Sequence, residues 1–227
     1  MLFFCLAHAG GSTIVYEKLK SYLSIDVQFV SLELPGHLKR ANELLCTDSS
    51  LVIDDLLKTI CNYIDQTKED YVLFGHSLGA VLAYSLFFTL RERNKRLPIH
   101  MIFSGRWPPF VTRELDSNYV DIDAFIDDEI SNDPKLLQYF REVIRSDFEL
   151  LNDMPFKEVS LKIDVEISVL WGTEDKSMTY KDIKQWEKIA GNSIHFYPIQ
   201  GDHFYPINKK EVTALCINQI LLPYQNR

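Results

Sequence analysis

Tyr71-Val72-Leu73-Phe74-Gly75-His76-Ser77-Leu78-Gly79-Ala80 is the stretch on which the reading of the chain turns. Four apolar or aromatic residues run into Gly-x-Ser-x-Gly, and an apolar run over residues 80–90 follows at once. A strand, a sharp turn and a helix in that order are the pattern of a nucleophile elbow. Glycines flank the serine because such a turn is strained and neighbouring backbone passes close to it. The turn lifts the Ser77 hydroxyl clear of the sheet. It also aims the Leu78 N–H and the helix N-terminus at the place where an oxyanion would form.

Outward from the elbow, strand patterns alternate with helix patterns. Residues 2–7, 27–34, 99–104, 165–171 and 193–199 read as further strands, and Pro35-Gly36 breaks the second of them. A helix over residues 51–66 carries Val52, Leu56, Ile60, Tyr63 and Ile64 on one face. Another, carrying Ile183, Trp186 and Ala190, lies between the last two strands, and Asn208 with Glu211 resembles a capping box opening the final helix. This alternation predicts a mainly parallel sheet of about six strands with helices on both faces.

Residues 106–161 break the pattern, being too long for a simple crossover. Inside them Asp133-Pro134 opens a helix with an apolar stripe through Leu136, Leu137, Phe140, Val143, Ile144, Phe148 and Leu151. An insertion at the end of the sheet where the nucleophile sits is where a lid belongs. The expectation is a single domain over residues 1–227 with a helical lid insertion at about residues 112–160. Residues 114–153 hold twelve acidic and three basic side chains, a local net charge of −9. That charge suggests a segment weakly held apart from its stripe.

Composition narrows the function classes. With 227 residues, 46% of them hydrophobic, the chain can bury a sizeable core. A net charge of −8 argues against nucleic acid as a partner. No apolar run approaches the roughly 20 residues of a membrane span, so no membrane is expected. The N-terminal MLFFCLAHAGG lacks a basic n-region and reads as a buried strand. Cys5, Cys61 and Cys216 sit in apolar contexts, no Cys-x-x-Cys pair exists, and a reducing cytoplasm is the simplest location. No metal site is expected.

A serine nucleophile needs a base, and the base needs an acid to orient it; in this architecture the chain order is serine, acid, histidine. Of six histidines only His195 and His203 lie beyond a suitable acid. His195 falls mid-strand, whereas His203 follows Gly201-Asp202 in the loop after the last strand and is the candidate base. The loop after the fifth strand offers Glu174 and Asp175, and a glycine with an acid three residues on favours Asp175. Asp202 reads as a turn residue. His8-Ala9-Gly10-Gly11, after the first strand, would meet the elbow at the switch point of a doubly wound sheet. Its Ala9 N–H is the candidate second oxyanion donor beside that of Leu78.

The ordered segments resemble those of the type II thioesterases, the stand-alone α/β-hydrolases found beside polyketide and nonribosomal peptide synthetases. LFFCLAHAGGS resembles that family's first strand and oxyanion loop, LELPGHLKR its Pro-Gly-Arg segment and GHSLGA its elbow. SGRWPP resembles the entry to its lid, IRSDFELL its Arg-Ala-Asp-Phe lid helix, WGTEDK its acid loop and GDHFY its Gly-Gly-His-Phe loop. His37 stands where the family usually has Arg, Ser146 replaces an Ala, and Asp202 replaces a Gly. The resemblance implies an α/β-hydrolase fold, a Ser77–Asp175–His203 triad and an oxyanion hole at Ala9 and Leu78. It implies hydrolysis of acyl thioesters on the phosphopantetheine arm of acyl or peptidyl carrier proteins, by a cytoplasmic monomer with no dissociable cofactor. Lys39, Arg40 and Arg106 follow strand ends on the nucleophile's side and are candidate carrier contacts. The rival readings are a carboxylesterase acting on free small molecules and a non-catalytic carrier-binding protein.

Overall fold

The structure, a computed structural model, describes residues 1–24, 26–111, 132–155 and 160–225. Six strands form one parallel sheet in the order β2-β1-β3-β4-β5-β6. They are β1 (Leu2–Leu6), β2 (Gln28–Ser31), β3 (Tyr71–His76), β4 (His100–Ser104), β5 (Glu166–Gly172) and β6 (Ile194–Ile199). β1, β3 and β4 are buried along their whole length, which is why they read as continuous apolar runs instead of alternating ones. β2 ends sooner than the sequence suggests. Leu32 still donates its N–H to the Cys5 carbonyl, but Pro35 follows and the chain leaves the sheet.

Helices cover both faces. On one side lie α1 (Ile14–Lys20) and the C-terminal helices, over Phe3, Cys5, Phe74 and Ile102. On the other lie α2 (Ser49–Ile64) and α3 (Leu78–Glu92), over Phe4, Leu6, Leu73 and Phe103. α3 is buried on nearly every side, consistent with its apolar sequence. Its basic end is more engaged than a solvated terminus. Arg96 donates to the carbonyls of Ile64 and Thr67 and stacks over Tyr71, and Arg93 pairs with Asp54.

Two helix starts differ from expectation. The segment carrying Ile183 and Trp186 divides into α5 (Tyr180–Ile183), opened by a Thr179–Asp182 capping box, and a 3-10 helix (Lys184–Ile189). Ile183, Trp186 and Ile189 are all fully buried, and a repeat of three suits the tighter helix. Asn208 does not cap the final helix. It closes the short α6 (Tyr205–Asn208), and α7 (Lys210–Leu221) starts after Lys209 with no side-chain cap.

The long insertion between β4 and β5 contains α4 (Pro134–Asp153), capped by the Asp133 carboxylate on the Lys135 and Leu136 N–H groups. Residues 112–131 and 156–159 of the expected lid lie outside the described residues. α4 itself is not weakly held, despite its charge. Val143, Ile144, Leu150 and Leu151 are buried, whereas Leu136 at the start of the stripe is exposed. Polar ties pin both ends. The Tyr139 hydroxyl donates to the Gly36 carbonyl at 2.8 Å, and Asp153 accepts the Ser49 N–H at the start of α2 at 2.8 Å.

Candidate active site

The elbow forms where the sequence places it. Ser77 joins β3 to α3 with φ 55° and ψ −114°, a backbone conformation costly for a residue with a β-carbon. The flanking glycines are required by contact distance. A β-carbon on Gly75 would lie 2.0 Å from the Gly79 carbonyl oxygen, and one on Gly79 would lie 2.4 Å from the Leu6 carbonyl oxygen. The start of α3 is thereby wedged against the end of β1. The register pairs Leu6 with Gly75, so the loop carrying Ala9 emerges beside Ser77. β1 leads to β2 on one side and β3 leads to β4 on the other, which makes this gap the switch point of the sheet.

The acid and base loops are stitched to each other. Glu174 donates its N–H to the Gly201 carbonyl and Thr173 donates to the Ile199 carbonyl, both at 2.9 Å. Gly172 lets the Asp202 backbone approach, since a β-carbon there would lie 2.3 Å from the Asp202 carbonyl oxygen. These contacts bring His203 Nδ1 to 2.6 Å from Asp175 Oδ2. Asp175 Oδ1 accepts the Ser177 N–H at 2.9 Å and the Ser177 hydroxyl at 2.6 Å. Burial alone would raise the Asp175 pKa, but the His203 and Ser177 hydrogen bonds outweigh it and hold it below the ordinary value. The ionised carboxylate can only accept, so Nδ1 carries the proton and Nε2 of the neutral ring is left to accept another. Glu174 is exposed, and Asp202 turns its carboxylate to the Phe204 N–H at 2.9 Å, as a turn residue does.

A second histidine, with no role assigned from the sequence, packs against the first. The His76 ring lies 5.0 Å from that of His203, centroid to centroid. Its Nδ1 meets the Ser104 hydroxyl at 2.8 Å, which in turn pairs with the Tyr205 hydroxyl. Burial, and then the neighbouring His203 and His8, push the His76 pKa well down, so His76 is neutral. The ring supplies a fixed, uncharged wall behind the base.

The three candidate carrier contacts differ. Lys39 sits on the surface and pairs with Glu17. Arg106 stacks its guanidinium over Trp107 at 4.2 Å, and its carbonyl accepts the Trp186 indole N–H. Arg40 is locked into the fold, with Glu43 on one side, Asp55 on the other and the Glu33 carbonyl between them. Its charge is neutralised within the molecule, so the structure speaks against Arg40 as a docking cation.

Among the described residues no cluster of His, Cys, Asp and Glu could hold a metal ion, and no helix is long and apolar enough to cross a membrane.

Comparison with known proteins places this geometry in context. The Thioesterase domain family matches residues 2–220. The chain is 24% identical over 237 residues to linear gramicidin dehydrogenase LgrE of Brevibacillus parabrevis, covering 99% of this chain and 89% of that protein. It is 23% identical to the gramicidin S biosynthesis protein GrsT of Aneurinibacillus migulanus, over 91% of this chain and 83% of the other. Among solved structures, ClbQ from the colibactin NRPS/PKS pathway superposes with a TM-score of 0.86 at 25% identity, covering 98% of this chain and 97% of ClbQ.

Proposed function

The chain belongs to the thioesterase domain family, and from that premise we propose that it hydrolyses acyl thioesters carried on the phosphopantetheine arm of acyl or peptidyl carrier proteins in polyketide or nonribosomal peptide synthesis. The reading rests above all on one observation, the 2.6 Å contact of His203 Nδ1 with a buried Asp175, the His203 ring packing on His76, the neighbour in sequence of the elbow serine. His203 Nε2 takes the Ser77 proton and Ser77 Oγ attacks the thioester carbonyl. The Ala9 and Leu78 N–H groups hold the oxyanion, and the proton passes from His203 to the departing thiol. Water then attacks the acyl-serine, His203 takes its proton and returns it to Ser77 Oγ as the acyl–oxygen bond breaks, and the free acid leaves. The phosphopantetheine belongs to the substrate, and no step calls for a metal or a dissociable cofactor. The enzyme works as a cytoplasmic monomer, with the 112–160 insertion as lid and Lys39 and Arg106 near the mouth as carrier contacts.

The biosynthetic proteins it resembles support this substrate class. The dehydrogenase name of LgrE does not carry over, because this sequence has no Gly-x-Gly-x-x-Gly to seat a dinucleotide. The test is release of acid from carrier proteins loaded with different acyl chains, against p-nitrophenyl esters of the same acids. Wild type is expected to favour the carriers in kcat/KM, and Ser77→Ala to lower kcat on the order of 10⁶-fold. A preference for the free esters would support a carboxylesterase instead. Activity above a few per cent in pure Ser77→Ala would remove Ser77 as nucleophile.

A further inference from the structure

α4 meets the loop after β1 at one carboxylate. Asp147 is 2% exposed. Its Oδ2 accepts the Gly10 N–H at 2.7 Å and lies 3.0 Å from His37 Nε2. His37 Nδ1 lies 3.1 Å from the Pro35 carbonyl oxygen. Both ring nitrogens thus face oxygens that only accept, and either neutral tautomer would set a lone pair against one of them. The contacts are satisfied together only by the doubly protonated ring, an imidazolium.

The surroundings agree. Burial disfavours the charge, but the Asp147 hydrogen bond and charge, the Pro35 carbonyl and the Glu33 carboxylate outweigh it, and the His37 pKa stands above its ordinary 6.5. Glu33, from the segment after β2, takes its own hydrogen bonds from the Thr13 N–H and hydroxyl. His8, on the loop after β1, is pushed down to about 3, first by burial and then by the neighbouring His203 and His37, so it stays neutral beside the pair. Tyr139, from α4, directs its hydroxyl to the Gly36 carbonyl. Gly10 also fixes the approach of the helix, because a β-carbon there would lie 2.3 Å from Ile144 Cγ1, and its φ is +74°.

We propose that His37 and Asp147 are a positioning pair for the oxyanion loop. The carboxylate holds the Gly10 N–H, which fixes the peptide next to Ala9 and so the direction of the Ala9 N–H. The imidazolium holds the carboxylate in place. Neither residue touches the substrate, and α4 joins the oxyanion hole through them. The inference rests on the reading of Ser77 as nucleophile and Ala9 as oxyanion donor, but not on the identity of the substrate.

The experiment therefore uses a probe that needs no carrier. A fluorophosphonate is attacked by the serine oxygen, fluoride leaves, and the phosphoryl oxygen occupies the oxyanion hole. Acylated carriers, assayed separately with wild type, test the substrate class, so the two readings fail independently. Losing an oxyanion donor is worth roughly 10²–10³-fold, and a misdirected one somewhat less. Asp147→Ala is expected to lower the maximal labelling rate on the order of 10- to 100-fold, with the probe's half-saturating concentration changed less than about threefold. Asp147→Asn keeps an accepting oxygen without the charge and is expected to fall between.

The pH profile separates positioning from mere structure. His37 is charged below its raised pKa and loses the proton as pH rises through it, so the wild-type labelling rate declines on that alkaline side. In Asp147→Asn the decline moves to lower pH, as does the His37 titration followed by NMR. In His37→Arg the cation does not titrate, and the decline disappears while the neutral-pH rate is kept. The proposal is overturned if folded Asp147→Ala labels within about twofold of wild type, or if only the half-saturating concentration changes. It is equally overturned if His37→Arg retains the wild-type alkaline decline. Should Asp147→Ala fail to fold, Asp147→Asn and His37→Arg decide the matter by their pH profiles.

Discussion

Replacing Asp175 by Asn tests whether the acid works by fixing the proton on His203. The carboxylate has two committed oxygens, Oδ1 accepting from Ser177 N–H and hydroxyl and Oδ2 facing His203 Nδ1. A carboxamide has one accepting oxygen. Turned to keep the Ser177 bonds, it presents its NH₂ to Nδ1, which must then give up its proton. The proton moves to Nε2, and the ring cannot take one from Ser77. Turned the other way, the amide restores the tautomer but sets NH₂ against the Ser177 N–H. That breaks the part-buried Ser177 N–H bond at about 0.5–1.5 kcal/mol, so the productive orientation is outnumbered by a factor of roughly 2 to 13. Loss of the negative charge opposite the imidazolium of the transition state adds to this, for a total of up to roughly 10⁴-fold in kcat. The assay is thiol release from an acyl thioester of a small thiol, with the melting temperature checked and the imidazole tautomer read by ¹⁵N NMR. Expected are a folded protein, an Nε2–H tautomer and little change in KM. Folded Asp175→Asn with kcat within tenfold of wild type, or with Nδ1 still protonated and kcat collapsed, would refute the tautomer argument.

Other outcomes follow from the same contacts. Gly75→Ala puts a β-carbon 2.0 Å from the Gly79 carbonyl oxygen, and backbone cannot swing aside as a side chain can. An overpacking cost of about 3 kcal/mol should lower the melting temperature by roughly 6–12 °C, measurable by calorimetry. Arg40→Glu would crowd Glu43 and Asp55, and is expected to lower stability by about 1–3 kcal/mol while reducing carrier and small-thiol activity alike. A loss confined to carriers at an unchanged melting temperature would return Arg40 to the docking surface. The Asp175 pKa is held below its ordinary 3.8 in the fold, so its stabilising contribution is complete above that value and fades as pH falls through the lower folded one. The acid unfolding curve of Asp175→Asn should lack that part of the decline, which urea titrations at stepped pH would show.

Much of this site was legible in the chain because the signals are short-range. The elbow is a strand, a turn and a helix within a dozen residues, and the steric need for Gly75 and Gly79 is written beside Ser77. Chain order and the position of their loops after apolar strands pointed to Asp175 and His203, which the fold brings into hydrogen-bond contact. Continuous apolar runs announced β1, β3 and β4 because both faces of those strands are buried. Where local cues misled, neighbours decided. The Trp186 segment tightened into a 3-10 helix so that three buried residues share one face, and the chain turns at Lys209, so Asn208 closes α6 and does not cap α7.

The sequence also displayed His37, Asp147 and Arg40, but not what they do. His37 and Asp147 stand 110 residues apart, and Gly10 and Asp147 stand 137 apart. No periodicity or turn rule spans such distances. Their meeting depends on the strand order that sets the loops after β1 and β2 side by side, and on α4 being folded back over both. The charge of residues 114–153 suggested weak attachment, yet α4 is tied at Gly36, Gly10 and Ser49, because its buried stripe and a few well-placed polar groups outweigh net charge. Local chemistry determined the elements and pointed to the candidate reacting groups. Tertiary packing alone decided which distant side chains hold them in place, since a hydrogen bond reads distance in space and not separation along the chain.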